Sequence, residues 1–213
     1  MLRYYRALRL RFCSLSQTSI TTHYTMNPYS IELDFSEHES LTIGILSDTH
    51  GVLNPDVADF IKGCDIALHA GDMMGAHTLL GLAPKLGHVI AVKGNNDIPE
   101  TWQAEDHAQL TEIPDEVKLN LPGGTLIMEH AHRVWNKEIS NMHIALREDH
   151  PEADLIVYGH THIRTVDDSA EPMVLNPGAA GEVRVHAGPS CVELTVNADK
   201  WEIKEHVFPM HKS

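Results

Sequence analysis

Cysteine is scarce in this sequence: three residues in 213, Cys13, Cys64 and Cys191, far apart and odd in number. They form no Cys-x-x-Cys pair and no disulfide framework, which argues for a reducing compartment. No stretch approaches the roughly 18 consecutive apolar residues of a membrane span. The expectation is a soluble, cytoplasmic chain with no membrane partner. Basic residues are also few, 16 Lys and Arg against 30 Asp and Glu, for a formal net charge of -14. Acidic residues are in turn absent from the first 31 residues, whose Arg3, Arg6, Arg9 and Arg11 give +4 and leave -18 on the remainder. A body this acidic repels a phosphate backbone, so polymeric nucleic acid is not an expected partner. The same charge suits a site that gathers several cations.

The chain is long enough for one domain with a substantial core and short for two. The stretch up to Ser40 is rich in Arg, Ser and Thr and lacks the apolar block of a secretory signal. Two readings of it stay open. It is a mitochondrial-type presequence, which would change the expected location, or the natural start is Met26 and the first 25 residues lie outside the native protein. On either reading, residues 1–40 are an N-terminal extension, disordered or mis-started, and residues 41–213 form the domain.

From Leu41 the pattern becomes regular. Residues 41–47 are apolar nearly throughout and read as a buried strand. Residues 54–62 read as a helix, with Asn54 as cap, Pro55 in the first turn, and Val57, Phe60 and Ile61 on one face. Strands are expected at 65–69 and 88–92 with a helical stretch over 76–82 between them, and this alternation argues for a largely parallel sheet. The second half is mixed. Strands at 116–121 and 125–129 flank Pro122-Gly-Gly124. A helix follows over 135–148, with Ile139, Met142 and Leu146 at helical spacing, and then strands at 154–158, 173–175, 191–196 and 202–208. Pattern alone gives an α/β domain with antiparallel pairing in its second half.

Five short motifs fall where predicted strands end: Ser47-Asp-Thr-His-Gly51, His69-Ala-Gly-Asp72, Gly94-Asn-Asn-Asp97, Glu129-His-Ala-His132 and Gly159-His-Thr-His162. That edge of an α/β sheet is where ligand-binding loops converge. In extended chain, residues two apart share a side, so Asp48 with His50, and His160 with His162, would each grip one centre. Carboxylate and amide oxygen mixed with imidazole, and no thiolate, suits Mn²⁺, Fe²⁺ or Zn²⁺, with Co²⁺ and Ni²⁺ also compatible. Any one of these motifs alone is an ordinary turn or surface pair. Their agreement in placement and donor type points to metal binding.

The ordered set Asp-x-His, Gly-Asp, Gly-Asn-x-Asp, His-x-His and Gly-His-x-His, running from Asp48 to His162, resembles the calcineurin-like metallophosphoesterases. The short chain and the Asn176-Pro-Gly178 turn resemble the small single-domain phosphodiesterase branch of that family, and the likeness covers about residues 41–208. It implies a four-layer α-β-β-α sandwich with two mixed β-sheets. It also implies two divalent metal ions, with Mn²⁺ foremost. Asp48, His50 and His162 would hold the first, Asn95, His130 and His160 the second, and Asp72 would bridge them. Two cations about 3.5–4 Å apart can share a hydroxide that attacks phosphorus and can offset the charge of the transition state. A small phosphodiester is the implied substrate, and a homo-oligomer is left open.

The sequence departs from many phosphatases of the family in one respect. The residue after Gly-Asn, often a His that protonates the leaving oxygen, is Asn96, whose amide can donate a hydrogen bond but no proton near neutral pH. His132 is the substitute candidate. His69 is read as a hydrogen-bonded structural residue, Met73 and Met74 as packing, and Arg164 and Arg184 as surface residues within reach of a substrate phosphate. His23, His38, His77, His88, His107, His143, His150, His186, His206 and His211 are read as incidental. The competing reading is a scaffold that keeps the fold and acts as a binding surface, as the retromer subunit of the same fold does.

Overall fold

Along the central strands apolar side chains alternate between two sides, and each side meets a different layer. The computed structural model describes residues 22–24, 30–134, 138–182, 184 and 187–211. The strands are β1 (Thr22–Tyr24), β2 (Ser30–Asp34), β3 (Ser40–Leu46), β4 (Ile66–His69), β5 (His88–Ala91), β6 (Glu116–Leu121), β7 (Gly124–Glu129), β8 (Leu155–Val157), β9 (Thr165–Asp167), β10 (Met173–Asn176), β11 (Ser190–Asn197) and β12 (Trp201–Val207). The helices are α1 (Pro55–Ile61), α2 (Ala76–Leu80), α3 (His107–Glu112) and α4 (Ile139–Asp149).

Seven strands form one sheet in the order β1-β2-β6-β7-β8-β10-β9, and five form the other, β12-β11-β3-β4-β5. Both are mixed: β3, β4 and β5 run parallel while β11 joins β3 antiparallel, and β7, β8 and β10 run parallel beside the antiparallel β6–β7 hairpin. Leu126 and Met128 of β7, and Leu155 and Val157 of β8, face Ile43, Ile45, Leu68 and Leu194 of the other sheet across the main core. The intervening Ile127 and Ile156 turn outward under Met142, Ala145 and Leu146 of α4. On the far side, Leu46 and Ala67 meet Val57 and Ile61 of α1, while α2 and α3 bring Leu79 and Leu110 against Trp102, Val89 and Ala91. Each fully buried Leu or Ile contributes roughly 1.5–3 kcal/mol, so period-two alternation along the strands carries much of the fold. The result is the expected α-β-β-α sandwich with two mixed sheets.

Asn54 caps α1 as expected, its side-chain oxygen accepting from the backbone N–H of Asp56 at 3.0 Å and of Val57 at 3.1 Å. The expected lower limit of the domain is corrected. Ser30–Asp34 is a strand in parallel register with β6, and Phe35 is a core residue, 2% exposed. The physical reason is the alternation Ile31-Glu-Leu-Asp-Phe35, which gives a strand one apolar side; the rest of the extension up to residue 21 lies outside the described residues. The helix expected over 135–148 starts at Ile139, with residues 135–137 outside the described set. Sequence reading did not anticipate α3 or the three-residue β9.

Candidate metal centre

All five motifs sit directly after strands, three from the smaller sheet (β3, β4, β5) and two from the larger (β7, β8), so the site spans the seam between the sheets. Its loops bend sharply. Asp48, His50, Asp72, His160 and His162 all have positive φ, from 46° to 68°, although none is glycine. Non-glycine residues rarely hold this conformation, which costs about 1–3 kcal/mol each and persists where the surroundings enforce it. The extended-chain argument for pairs two residues apart is therefore corrected: the backbone at these positions is left-handed, and the grouping it creates is different. His162 joins Asp48 and His50, while His160 Nδ1 lies 2.9 Å from the side-chain oxygen of exposed Asn95.

Donor atoms of Asp48, His50, Asp72 and His162 all lie within 4.8 Å of one another. The Nε2 atoms of His50 and His162 are 3.0 Å apart, and His162 Nε2 is 3.3 Å from Asp48 Oδ1. His130 Nε2 approaches Asp72 Oδ1 at 3.5 Å from the other side, buried and without a hydrogen bond. Outer contacts set which ring nitrogen faces inward. His130 Nδ1 donates to the Ala70 carbonyl at 2.7 Å and His162 Nδ1 to the Arg184 carbonyl at 2.8 Å, which turns both Nε2 atoms toward the centre. Asp48 and Asp72 are 0% and 1% exposed, and their ion-pair partners among the described residues are imidazoles. Buried carboxylates facing inward-pointing ring nitrogens, one of them an orphan, fit divalent cations.

The electrostatics follow from this crowding. Burial alone would raise the Asp72 carboxyl, but His130 and Asn96 hold it well below the usual carboxylate range. Asp48 is likewise lowered against its burial, chiefly by His162 and His130. His130 is itself pushed up to about 9, because Asp72 and Asp48 outweigh burial. Burial and the neighbouring His130 drop His160 to about 4.

The remaining expectations fall out as follows. Asn96 sits inside the site and binds Asp72 from backbone and side chain, at 2.8 and 2.6 Å. His132 is exposed at the rim, its ring centroid 5.7 Å from that of His130 and 6.4 Å from that of His160. His69 is structural as expected, its Nε2 3.0 Å from the Thr49 hydroxyl. Met73 is buried packing, and the Met74 sulfur lies 3.2 Å from His50 Nδ1. Arg164 is committed to Glu205 at 2.8 Å rather than turned to a substrate. His143 is not incidental: it is 3% exposed and hydrogen-bonded at both ring nitrogens.

Two residues of the scaffold went unassigned in the sequence. Asp97, the last residue of its motif, accepts from the backbone N–H of Met73, Met74 and Gly94 at 3.3, 2.8 and 2.8 Å and from the Trp102 indole at 3.1 Å. It thereby ties the loop after β4 to the loop after β5. Asn176 donates to the Gly159 carbonyl at 2.6 Å and to Thr161 Oγ1 at 3.1 Å, and accepts from Gly178 N–H at 2.9 Å. The tight fit also explains Gly94, where a Cβ would come within 2.1 Å of Asp72 Oδ1.

Residues 41–199 match the model of the calcineurin-like phosphoesterase superfamily domain. A protein of Methanocaldococcus jannaschii named a probable metallophosphoesterase is 29% identical over 170 residues, 78% of this chain and 80% of its own. A phosphodiesterase of the same organism is 26% identical over 146 residues, 65% of this chain and 83% of its own. Among solved structures, wild-type Vps29 of Entamoeba histolytica in complex with zinc aligns with a TM-score of 0.60 at 18% identity, covering 78% of this chain and 91% of its own. The motif set, the paired mixed sheets, the acidic and imidazole centre at their seam and the match across most of the chain agree, and the chain belongs to the calcineurin-like phosphoesterase superfamily.

Proposed function

We propose that the protein is a two-metal phosphodiesterase acting on a small phosphodiester. The observation that carries this reading is the convergence of His50 Nε2 and His162 Nε2, 3.0 Å apart, on the buried carboxylates of Asp48 and Asp72. In it, Asp48, His50 and His162 hold one ion, Asn95, His130 and His160 the other, and Asp72 reaches both. The mixed oxygen and imidazole set favours Mn²⁺, with Fe²⁺, Zn²⁺, Co²⁺ and Ni²⁺ as alternatives; zinc is the ion named with Vps29 of Entamoeba histolytica. When bound, such ions supply Lewis acidity toward phosphoryl oxygen and a nucleophile from water at neutral pH. The chain's own part is to fix donor geometry. Asn96 holds the Asp72 carboxylate, the Ala70 and Arg184 carbonyls orient His130 and His162, and exposed His132 is the candidate to give the leaving oxygen its proton.

The phosphodiesterase named among the relatives supports the diester preference. The acidic body argues against a polynucleotide substrate. Cys64 and Cys191 are free and buried, in keeping with the cytoplasm, or with mitochondria if residues 1–25 are a presequence. No helix among the described residues is long and apolar enough to cross a membrane. The test is hydrolysis of bis-p-nitrophenyl phosphate against the mono-ester, with Mn²⁺ and after chelation. Diester turnover that chelation abolishes and Asp72→Asn removes is the expected result; wild type and variant equally inert with every metal would overturn it. The likeness to Vps29 favours a second reading, a binding scaffold with little or no turnover, and that inert outcome is what it predicts.

A further inference from the structure

Outside the metal centre one buried polar chain has no assigned role. It starts at Asp167, at the end of β9. Asp167 is anchored by Arg147 of α4 at 3.1 Å and by the backbone and hydroxyl of Ser169 at 3.1 and 2.6 Å. Its Oδ2 lies 2.6 Å from His143 Nδ1 on α4, and His143 Nε2 lies 2.9 Å from the Tyr158 hydroxyl. Tyr158 is fully buried, at 0% exposure, directly precedes Gly159, and has its hydroxyl beside the side chains of Thr161, Asn176 and Thr165. Asn176 in turn holds the Gly159 carbonyl at 2.6 Å and Thr161 Oγ1 at 3.1 Å. The chain therefore runs from the outer helix to the base of the turn that carries His160 and His162.

Its hydrogen-bond directions are fixed by a single group. A carboxylate only accepts, so His143 Nδ1 carries a proton, and in the neutral imidazole Nε2 accepts from the Tyr158 O–H. The Tyr158 oxygen is then left to accept from the turn. Asn176 spends its amide hydrogens on Gly159 and Thr161, and Thr165 its hydroxyl hydrogen on Ile163, which leaves the Thr161 hydroxyl as the neighbour able to donate to Tyr158. We propose that the Asp167–His143–Tyr158 chain is a positioning device for the 159–162 turn, holding His160 and His162 in their left-handed conformations from outside the metal centre. His160 and His162 have φ of 68° and 58°, a conformation that relaxes unless its surroundings enforce it. Every member of the chain except Ser169 is removed from solvent or half-buried, so a broken link leaves an unsatisfied group beside the turn.

The inference rests on the proposed metal centre for one of its two readouts only. The first readout is amide hydrogen exchange of residues 159–162 in metal-free protein, and the second is Mn²⁺ affinity by titration calorimetry. Tyr158→Phe and His143→Leu should speed exchange in the turn about tenfold or more while other core amides keep their rates. They should weaken Mn²⁺ binding about 10–100-fold. His143→Gln, whose amide can donate to Asp167 and accept from Tyr158, should restore both toward wild type. Turn exchange within about twofold of wild type in both disruptive variants would overturn the proposal. A uniform speeding of all core amides, with no rescue by His143→Gln, would overturn it as well. If wild type binds no metal, the proposed function fails and the exchange arm alone decides this inference.

Discussion

Asn96 donates to both oxygens of Asp72, its backbone N–H to Oδ1 at 2.8 Å and its side-chain amide to Oδ2 at 2.6 Å. The residue that looks in the sequence like a missing acid is thus a two-point holder of the carboxylate at the middle of the site. Asn96→Ala keeps the backbone bond and removes the other, which has a charged acceptor and is of the class worth about 1.5–3 kcal/mol. The expected outcome is Mn²⁺ binding weakened about tenfold or more with the fold intact, read by calorimetry and far-UV circular dichroism. Unchanged affinity would remove Asn96 from the site's support.

Asp97 should matter to folding rather than to ligands. It is 5% exposed and accepts from four N–H groups on two loops and an indole. Asp97→Ala leaves those donors buried and unmet, and urea unfolding should show a loss of about 3–5 kcal/mol. Asp97→Asn retains one acceptor oxygen and should lose less. Equal stability of wild type and Asp97→Ala would contradict the cross-linking role.

Occupancy should stabilise the chain. Asp48 and Asp72 are buried beside inward-facing imidazoles, so an ion binds the folded state and not the unfolded one. At a hundred times its dissociation constant a ligand adds about 2.7 kcal/mol. The melting temperature should rise with Mn²⁺, fall back on chelation, and show no response in Asp72→Asn. A melting temperature indifferent to every divalent ion would remove the metal centre.

A pH effect is expected away from the ligands. His150 is 7% exposed, with Nε2 3.5 Å from Glu129 and 3.8 Å from Glu116. Burial disfavours its charge, but Glu129 and then Glu116 outweigh that and raise its pKa above the ordinary value, while Arg133 opposes them in part. A raised folded-state pKa gives stability that is complete below the unfolded value near 6.5 and is lost as pH rises through the folded value. Urea midpoints of wild type should therefore fall, relative to His150→Gln, as pH rises above about 6.5. Parallel pH profiles for the two proteins would refute the assignment.

Much of this was legible in the sequence, and the parts that were not share a cause. β3, β4 and β5 are apolar runs with turn chemistry at their ends, and α1 announces itself through Asn54 and Pro55. β2 carries as clear an alternation, Ile31, Leu33 and Phe35, but follows an Arg-rich, acid-poor segment of a different composition from the domain. β9 is too short, at three residues, for any period to register. Donor identities could be read from motifs. Donor geometry could not, because five left-handed residues are a product of the packed loops rather than of the residues themselves. The same holds for Asp97, Asn176 and His143, whose partners lie 15 to 24 residues away for most of their bonds.

The seam between the two sheets has one more consequence. Donors from the smaller sheet face donors from the larger one, so each ion captured there would act as a rivet through the sandwich. A cell short of the right metal would then hold chains that open more often and meet proteases more often. Under that reading, the amount of this protein in the cell reports how much metal is at hand.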